Sequence, residues 1–251
     1  MEDKVKIFGV EIDNLTLDQI ADKTKKLVET SNKKCNLIVA PNVEFIMRAQ
    51  KDKKFFDILK TAELATPDSI GIIIAGKKQG KPFKQRIPGQ NYLRKVFEVG
   101  EKEGWTFYLL GGEGQVPKKA KENLERLYPK CKIVGFHEGF FVEDSEEEVI
   151  EEINSLKPNV LFVAMGAPRQ EKWIYDNKDK LKVDIAAGQG GTFDYEAGTV
   201  KRAPVWMQKC GIEWLWRLAK DPKRIKRMIV LPQFLLKVLF CRDITKGKFS
   251  K

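Results

Sequence analysis

The sequence is poor in residues that bind metal ions or form covalent cross-links. Its four cysteines lie far apart with no C-x-x-C pair, and His137 is the only histidine. This spacing excludes a zinc finger and a disulfide framework, and it predicts inert thiols. His137 follows a predicted strand and precedes Glu138-Gly139, so we expect it in a loop without a catalytic role, and a role as general base is the alternative. A metal-binding D-x-D motif is also absent, so any bound diphosphate would need arginine or lysine as its counter-charge.

Long apolar segments are missing as well. The first seven residues have no apolar core of the kind found in a secretory signal. The longest apolar run, residues 228–240, is interrupted by Pro232, Gln233 and Lys237. A bilayer-spanning helix needs about 20 apolar residues. We therefore expect a chain that can lie on a membrane but does not cross it.

Charge is distributed very unevenly along the chain. Residues 201–251 hold 14 Lys and Arg against 3 Asp and Glu, which accounts for the whole net charge of +11. The first 200 residues are therefore neutral, and the basic tail predicts attraction to a polyanion. Because this tail also contains the apolar run, it fits an anionic membrane better than nucleic acid. A basic face that simply packs on the body and meets solvent is the alternative.

Apolar strand-like runs alternate with helical patterns over the first 200 residues. Strands are predicted at residues 35–40, 62–66, 105–110, 131–136, 160–165 and 183–187, and helices at residues 17–30, 90–103, 116–127 and 145–156. This rhythm predicts an α/β fold with a mainly parallel, modified Rossmann-like sheet. The change in composition near residues 198–204 predicts a domain over residues 1–200 and a helical basic appendage over residues 201–251. Within the appendage, helices are predicted at residues 205–220 and 222–240.

Glycine and polar residues follow five of the predicted strands. These segments are residues 41–44, 67–71, 111–114, 166–173 and 188–194. Ligands of parallel α/β folds bind at the carboxyl ends of the strands. Several such segments at one edge predict a phosphate-bearing ligand held by backbone N–H groups. Gly111 and Gly112 alone fit a nucleotide contact or a plain turn, because the full dinucleotide fingerprint is incomplete.

Asp68 is the sharpest catalytic candidate among these segments. It follows Pro67 at a predicted strand end, where a carboxylate would project into a cleft and could act as a general base. An aspartate in this position is equally typical of a helix N-cap. The spacing leaves both interpretations open.

Taken together, these motifs resemble the WecG/TagA/CpsF family of glycosyltransferases over about residues 5–227. The most specific matches are residues 166–173 (G-A-P-R-Q-E-K-W) and residues 190–204 (G-G-T-F-D-Y-E-A-G-T-V-K-R-A-P). Residues 211–218, 221–224, 41–44 and 67–68 extend the match in order. The resemblance implies transfer of a sugar from a UDP-sugar to a polyprenyl-diphosphate-linked acceptor at the inner face of the cell membrane.

The chain is most similar to the branch that acts in wall teichoic acid synthesis. That likeness implies transfer of N-acetylmannosamine from UDP-N-acetylmannosamine to undecaprenyl-diphosphate-N-acetylglucosamine, with inversion to a β-1,4 linkage and with neither a metal nor a cofactor. It implies a cytoplasmic protein peripheral to the membrane, with no nucleic-acid partner, and leaves a homo-oligomer open. The alternatives are a related transferase for N-acetylmannosaminuronic acid or glucose, a Rossmann oxidoreductase, and a basic membrane adaptor without catalytic activity.

The resemblance also implies roles for individual residues. Asp68 becomes the expected catalytic base. Residues of the expected donor site are Asn42, Arg86, Gly111, Gly112, Gln170 and Asp194, and the expected diphosphate or acceptor ligands are Arg217, Arg224 and Arg227. The chain departs from the family pattern at several positions, among them the polar Gln208 and Lys209, where the resemblance leaves room for an apolar oligomer contact. Ala40 replaces a hydroxyl residue, Ser69 replaces glycine, and Gln189 replaces an apolar residue.

Overall fold

A six-stranded parallel sheet lies at the centre of the computed structural model, which describes residues 3–139, 145–222 and 225–250, without the side chains of 226 and 227. The strands are β1 (Lys4–Ile7), β2 (Val10–Asp13), β3 (Asn36–Val39), β4 (Leu64–Ala65), β5 (Thr106–Gly111), β6 (Lys132–His137), β7 (Val160–Ala164) and β8 (Ile185–Gly188). The strand order of the sheet is β4-β3-β8-β7-β5-β6, and a separate hairpin pairs β1 with β2. The predicted α/β class with a parallel sheet is thereby confirmed.

Helices cover the sheet and continue into the C-terminal region. They are α1 (Leu17–Thr30), α2 (Val43–Ala49), α3 (Lys53–Lys60), α4 (Ile70–Lys78), α5 (Gly89–Glu103), α6 (Val116–Leu127), α7 (Glu146–Leu156), α8 (Arg169–Asn177), α9 (Thr192–Glu196), α10 (Val205–Lys209), α11 (Glu213–Lys220), α12 (Ile225–Met228) and α13 (Val230–Phe240). Every residue of β7 is buried, as expected for a parallel strand covered on both faces.

Local sequence signals explain the helices that were predicted most accurately. Helix α1 has the predicted bounds, and a capping box fixes its start: the Gln19 N–H donates to Thr16 Oγ1, and the Thr16 N–H donates to Gln19 Oε1. The helix predicted over residues 205–220 is instead divided into α10 and α11. Gly211 lies between them with φ +72°, a left-handed conformation that ends a helix.

The second predicted tail helix, over residues 222–240, is divided into α12 and α13 with Ile229 between them, and α13 ends at Phe240 as predicted. Residues 223–224 lie outside the described residues, so the helix start at Asp221-Pro222 stays a prediction. The hairpin β1–β2 and helices α2, α3, α4, α8 and α9 were not predicted. These elements are short, and their periodicity is too brief to stand out in the sequence.

The tail contributes to the core of the first 200 residues. Phe234 and Val238 of α13 are 0% exposed and belong to the same apolar cluster as the hairpin and α2. Further along, Ile244 accepts a backbone hydrogen bond from Phe8 at 2.6 Å. The boundary predicted between residues 200 and 201 stays a prediction, but the chain on its far side shares the body's core.

One lysine of the body binds the end of the last helix. The ammonium of Lys78 donates to the carbonyl oxygens of Val238, Leu239 (2.8 Å) and Cys241 (3.1 Å). A cation at this place complements the partial negative charge of the helix C-terminus. Over the described part of the chain, no helix has the length and apolar character needed to cross a membrane.

Candidate active site

Two adjoining cavities lie at the carboxyl edge of the parallel sheet. The glycine-loop cavity, of about 970 Å³, is bordered by residues 166–170 and 188–194, which follow β7 and β8. The tail cavity, of about 770 Å³, is enclosed by α4, α11 and the end of α12. The two cavities share Asn42, Asp68, Pro88 and Arg217, so these residues occupy the junction.

Asp68 lies at this junction, just beyond β4. Its Oδ1 accepts a hydrogen bond from the backbone N–H of Gly89 at 3.2 Å, the first residue of α5. Its Oδ2 is 3.5 Å from Asn42 Nδ2. The N-cap of the adjacent helix α4 is Ser69, so Asp68 does not cap the helix that follows it. One oxygen instead satisfies the N-terminus of a helix distant in sequence, and the other faces the junction.

The pKa of Asp68 reflects opposing influences. Burial raises the pKa of this carboxyl group above its ordinary value, while the nearby Arg217 and Arg86 guanidinium groups and the Gly89 N–H oppose that rise. A carboxylate that is partly desolvated yet held beside cations has the properties of a general base.

Asn42 is positioned by the helix that it begins. It is the N-cap of α2, and its Oδ1 accepts from the Phe45 N–H at 3.1 Å. This bond directs Asn42 Nδ2 towards Asp68.

Ala40 lines the glycine-loop cavity two residues earlier, at the end of β3. The position that departs from the family pattern is therefore part of the cavity wall.

Two arginines bring positive charge to the tail cavity. Arg86 donates through Nη2 to the carbonyl of Gln208 at 2.6 Å, which joins the body to the end of α10. Arg217 pairs with Glu213 at 3.3 Å and lies over the ring of Tyr195 at 5.1 Å. The Nε of Arg217 is buried and has no partner among the described residues. It is thus a charged donor without an acceptor at the junction of the cavities.

Gln170 connects the two glycine-rich loops. Its Oε1 accepts from the N–H groups of Gly166 (3.1 Å) and Gly190 (2.9 Å), and its Nε2 donates to Glu171 at 2.6 Å. A side chain at Gly188 would meet Gln170 and Glu171 at 2.5 Å, which explains the glycine there. Gln170 lines the glycine-loop cavity, and its direct contact with a donor stays a prediction.

Glu171 is an ionisable group that sequence reasoning missed. It is 1% exposed, and burial raises the pKa of its carboxyl group to about 7. Its Oε1 accepts from Gln170, and its Oε2 has no partner among the described residues. The carboxyl group therefore supports the residue that holds both loops.

The remaining predicted residues have different positions. Gly111 is the last residue of β5 and has a φ of +127°. A Cβ at this position would lie 2.5 Å from the backbone of Ala164. The backbone N–H of the next residue, Gly112, donates a hydrogen bond to the Ala164 carbonyl at 3.0 Å. Neither glycine lines either of the two cavities. Close packing against the neighbouring strand explains why glycine occupies these positions, and a contact with a nucleotide stays a prediction. Asp194, in the first turn of α9, does line the glycine-loop cavity.

The last two predicted ligands are Arg224 and Arg227 of the tail. Arg224 lies outside the described residues. Arg227 belongs to α12, whose backbone is described, and its neighbour Met228 lines the tail cavity. Their roles as diphosphate ligands stay predictions.

Unpartnered buried polar atoms concentrate at the two cavities. Within the described ranges, four of the cavity-lining residues have such an atom, namely Ser69 Oγ, Gln90 Oε1, Gln189 Oε1 and Arg217 Nε. Buried polar groups are normally hydrogen-bonded, so exceptions clustered in cavities indicate a bound ligand. Sequence reasoning missed Gln90, for which no motif gave a signal.

Glu213 was also missed. It is buried and accepts from Arg202 (3.4 Å) and Arg217 (3.3 Å), which line the glycine-loop cavity. The spacing of four between Glu213 and Arg217 could have indicated the pair.

In residues 3–139, 145–222 and 225–250, no group of three or more His, Cys, Asp or Glu could hold a metal ion. Independence from metal stays a prediction.

Comparison with known proteins matches nearly the whole chain. The model of the glycosyl transferase WecG/TagA/CpsF family matches residues 5–247. Two similar proteins come from Staphylococcus aureus, strains MW2 and NCTC 8325 / PS 47. Each is named N-acetylglucosaminyldiphosphoundecaprenol N-acetyl-beta-D-mannosaminyltransferase and is 30% identical over 246 residues, which cover 98% of this chain and 96% of the relative.

Proposed function

Because the chain belongs to the WecG/TagA/CpsF family of glycosyltransferases, we propose that it transfers N-acetylmannosamine from UDP-N-acetylmannosamine to undecaprenyl-diphosphate-linked N-acetylglucosamine. The product would contain a β-1,4 linkage formed with inversion, as a step of wall teichoic acid synthesis. One observation supports this reaction above all: a single carboxylate, Asp68, lies at the junction of two cavities. A transfer between two substrates needs such a shared point.

The composition of each cavity supports a different substrate for each. The glycine-loop cavity offers helix N-termini and glycine-rich backbone, together with Arg202 and Arg217, and suits a nucleotide diphosphate. The tail cavity combines apolar Ile70, Trp214 and Leu231 with arginine and suits a lipid-linked diphosphate sugar. We assign the donor to the first cavity and the acceptor to the second.

The proposed chemistry is a direct displacement. Asp68 accepts the proton of the acceptor hydroxyl as its oxygen attacks the anomeric carbon of the donor sugar. The bond from the anomeric carbon to the diphosphate oxygen breaks on the opposite face, and UDP leaves with the electron pair. Arg217, whose Nε has no protein partner among the described residues, stabilises the leaving diphosphate. Its position in both cavities supports this role.

Exposed apolar residues of α13 support attachment to the inner face of the cell membrane. Leu236, Leu239 and Phe240 are 54%, 65% and 80% exposed, and Lys237 and Arg242 lie among them. Side chains of this kind insert at a headgroup boundary while cations bind anionic lipids. We propose that this surface brings the tail cavity to its lipid-linked substrate.

A transfer assay tests the function. Purified protein is given a short-chain lipid-diphosphate-N-acetylglucosamine acceptor with UDP-N-acetylmannosamine, UDP-N-acetylglucosamine, UDP-N-acetylmannosaminuronic acid or UDP-glucose, each with and without EDTA. We expect transfer from UDP-N-acetylmannosamine, a β-linked product by NMR, and activity that persists in EDTA. Preference for another donor would reassign the sugar, and loss of activity restored by Mg²⁺ would contradict the assignment of charge stabilisation to arginine.

A further inference from the structure

Gln189 is held rigidly in the loop that follows β8. Its backbone N–H donates to the carbonyl of Val163 at 2.7 Å, and its own carbonyl accepts from the Thr192 N–H at 3.0 Å. The residue is 6% exposed and lines the glycine-loop cavity. Its Oε1 is buried and has no hydrogen-bond partner among the described residues.

An unpartnered amide oxygen in this position is unfavourable unless something binds to it. Burying a polar atom without a hydrogen bond loses the hydration that it had in the unfolded chain. An apolar side chain of similar size would fill the same volume without that loss. The buried oxygen therefore indicates a ligand group that donates a hydrogen bond when the cavity is occupied.

The surroundings of Gln189 indicate which part of a ligand would reach it. A Cβ placed on Gly89 would lie 3.6 Å from Gln189 Oε1, and the Gly89 N–H binds Asp68 Oδ1 at 3.2 Å. The amide oxygen and the catalytic carboxylate thus flank the same glycine and lie within about 10 Å of each other. The base works beside the anomeric carbon and lies against the same glycine as Gln189, which favours a contact of Gln189 with the transferred sugar over one with the nucleobase.

A second glutamine supports a neutral, hydrogen-bond-donating ligand. Gln90 lines the same cavity, and its Nε2 donates to Glu196 at 2.7 Å. This bond fixes the orientation of the amide, and Gln90 Oε1 is also buried without a partner in the described structure. Carbonyl oxygens attract hydroxyl and amide N–H groups and repel a carboxylate.

We propose that Gln189 is a specificity-determining residue whose Oε1 accepts a hydrogen bond from a hydroxyl or amide N–H of the transferred sugar. The inference rests on the proposed function, since it places a UDP-sugar in the glycine-loop cavity. It also predicts that neutral sugars are preferred to hexuronic acids. Gln189 is a better target for a test than Gln90, because Gln90 also binds Glu196 inside the fold.

Binding measurements can isolate this contact from catalysis. Calorimetry gives the dissociation constants of UDP and of the UDP-sugars of the transfer assay for the full-length protein and for Gln189→Met and Gln189→Glu. The exposed Gln115, at the start of α6 and outside both cavities, provides the matched control Gln115→Met. Kinetic constants for each donor are measured on the same proteins.

We expect Gln189→Met to bind UDP within twofold of the wild type and to bind the preferred UDP-sugar at least tenfold more weakly. Its kcat/KM ratio between the preferred donor and the others should fall by a similar factor. Gln189→Glu keeps acceptor oxygens and should retain more of the preference for neutral donors. Gln115→Met should match the wild type.

Other outcomes separate this inference from the proposed function. An unchanged affinity ratio between UDP-sugar and UDP in Gln189→Met would overturn the inference, whether or not the enzyme transfers sugar. A tenfold loss of affinity for UDP alone would also overturn it, because the contact would then belong to the nucleotide. If the wild type binds UDP-sugars but transfers none, the proposed function fails, while the affinity ratio still decides the role of Gln189.

Discussion

The chemistry of the candidate site depends on a few side chains with more than one contact. Asp68 uses one oxygen for the first N–H of α5 and leaves the other near Asn42 at the junction of the cavities. The first contact fixes the carboxylate, and the second oxygen faces the junction, where the proposed role as base requires it to meet a substrate proton. A general base that is already oriented in this way loses little conformational freedom during the reaction.

Asp68→Asn tests the role of this residue as the base. The amide oxygen of the new side chain can still accept from the Gly89 N–H, so we expect the fold and the affinity for UDP to persist. General-base catalysis contributes roughly 10²–10⁴-fold, so turnover should fall by about that factor. Steady-state kinetics and UDP titration provide the measurement, with Asp57→Asn on the exposed face of α3 as the control. Near-normal turnover would reject Asp68 as the base.

The pH dependence of transfer tests the electrostatics around Asp68. The base acts as the carboxylate, so activity should fall as pH drops through its pKa, which burial raises and Arg217 lowers. Arg217→Gln removes the lowering influence. The acid limb of the kcat/KM profile should therefore move to higher pH, in addition to a loss of rate. Arg126→Gln, exposed on α6, is the control, and an acid limb that stays in place in Arg217→Gln would contradict the assignment.

At the scale of elements, the glycine-loop cavity, the proposed donor side, is built from two loops that follow neighbouring strands. Gln170, in the first turn of α8, binds the backbone of both loops, and Glu171 orients Gln170. Parallel strands β7 and β8 bring their carboxyl ends together, so one side chain can reach both loops. The shape of the glycine-loop cavity thus depends on two buried neighbours in one helix, of which Glu171 can ionise.

Glu171→Gln should change how stability depends on pH. Between its ordinary pKa of 4.5 and the raised value of about 7, the folded protein keeps a proton that the unfolded chain has released. Stability therefore falls as pH rises through this window, by up to about 3 kcal/mol. Glutamine does not titrate, so the variant should gain stability relative to the wild type between pH 5 and pH 8.

Denaturant unfolding at pH 5 and at pH 8 measures this difference in stability between Glu171→Gln and the wild type. Glu122→Gln, on the exposed side of α6, is the matched control and should follow the wild type at both. A stability difference between Glu171→Gln and the wild type that is the same at pH 5 and pH 8 would show that Glu171 does not titrate in this window.

At the scale of the whole molecule, the tail serves both the core and the surface. Helix α13 turns Phe234 and Val238 into the body and leaves Leu239 and Phe240 exposed. Lys78 and the backbone of the β1–β2 turn hold the end of this tail in place. The tail cavity and the exposed apolar surface therefore belong to one folded unit.

Two phenylalanines of α13 make a matched test of the shared core. Phe234 is 0% exposed, so Phe234→Ala should lower the free energy of unfolding of the whole protein by about 3–5 kcal/mol. Phe240 is 80% exposed, and Phe240→Ala should change stability by less than about 0.5 kcal/mol. Denaturant unfolding should show one transition in each case. An early, separate transition in Phe234→Ala would mean that the tail unfolds independently.

The exposed surface of α13 should govern binding to vesicles. Replacing both Leu239 and Phe240 by serine removes side chains that each contribute about 1.5–3 kcal/mol when fully buried. We expect at least tenfold weaker binding to anionic vesicles in co-sedimentation, mainly in the part that persists at high salt. Leu127→Ser, exposed on α6, is the control. Equal binding by the double variant and the wild type would remove this surface from the membrane proposal.

The sequence by itself determined the class of the protein and the segments of its site. Local periodicity predicted α1 and α6 with their observed bounds, and apolar runs predicted the six strands of the sheet within a few residues, because short-range patterning decides these elements. Motif resemblance predicted the family, which the comparisons confirm. The predicted residues Asn42, Asp68 and Arg217 do meet at one junction.

Only the tertiary structure decided which side chains share an environment. The contact of Asp68 with Gly89 joins residues that are 21 positions apart in the chain. The burial of Glu171 and of the Gln189 amide oxygen depends on which other parts of the chain cover these side chains. Likewise, the composition of the tail indicated a separate basic appendage, whereas packing placed Phe234 in the common core. Composition records how much charge and apolar surface a segment has, but the face of the helix that meets the body is set by contacts distant in sequence.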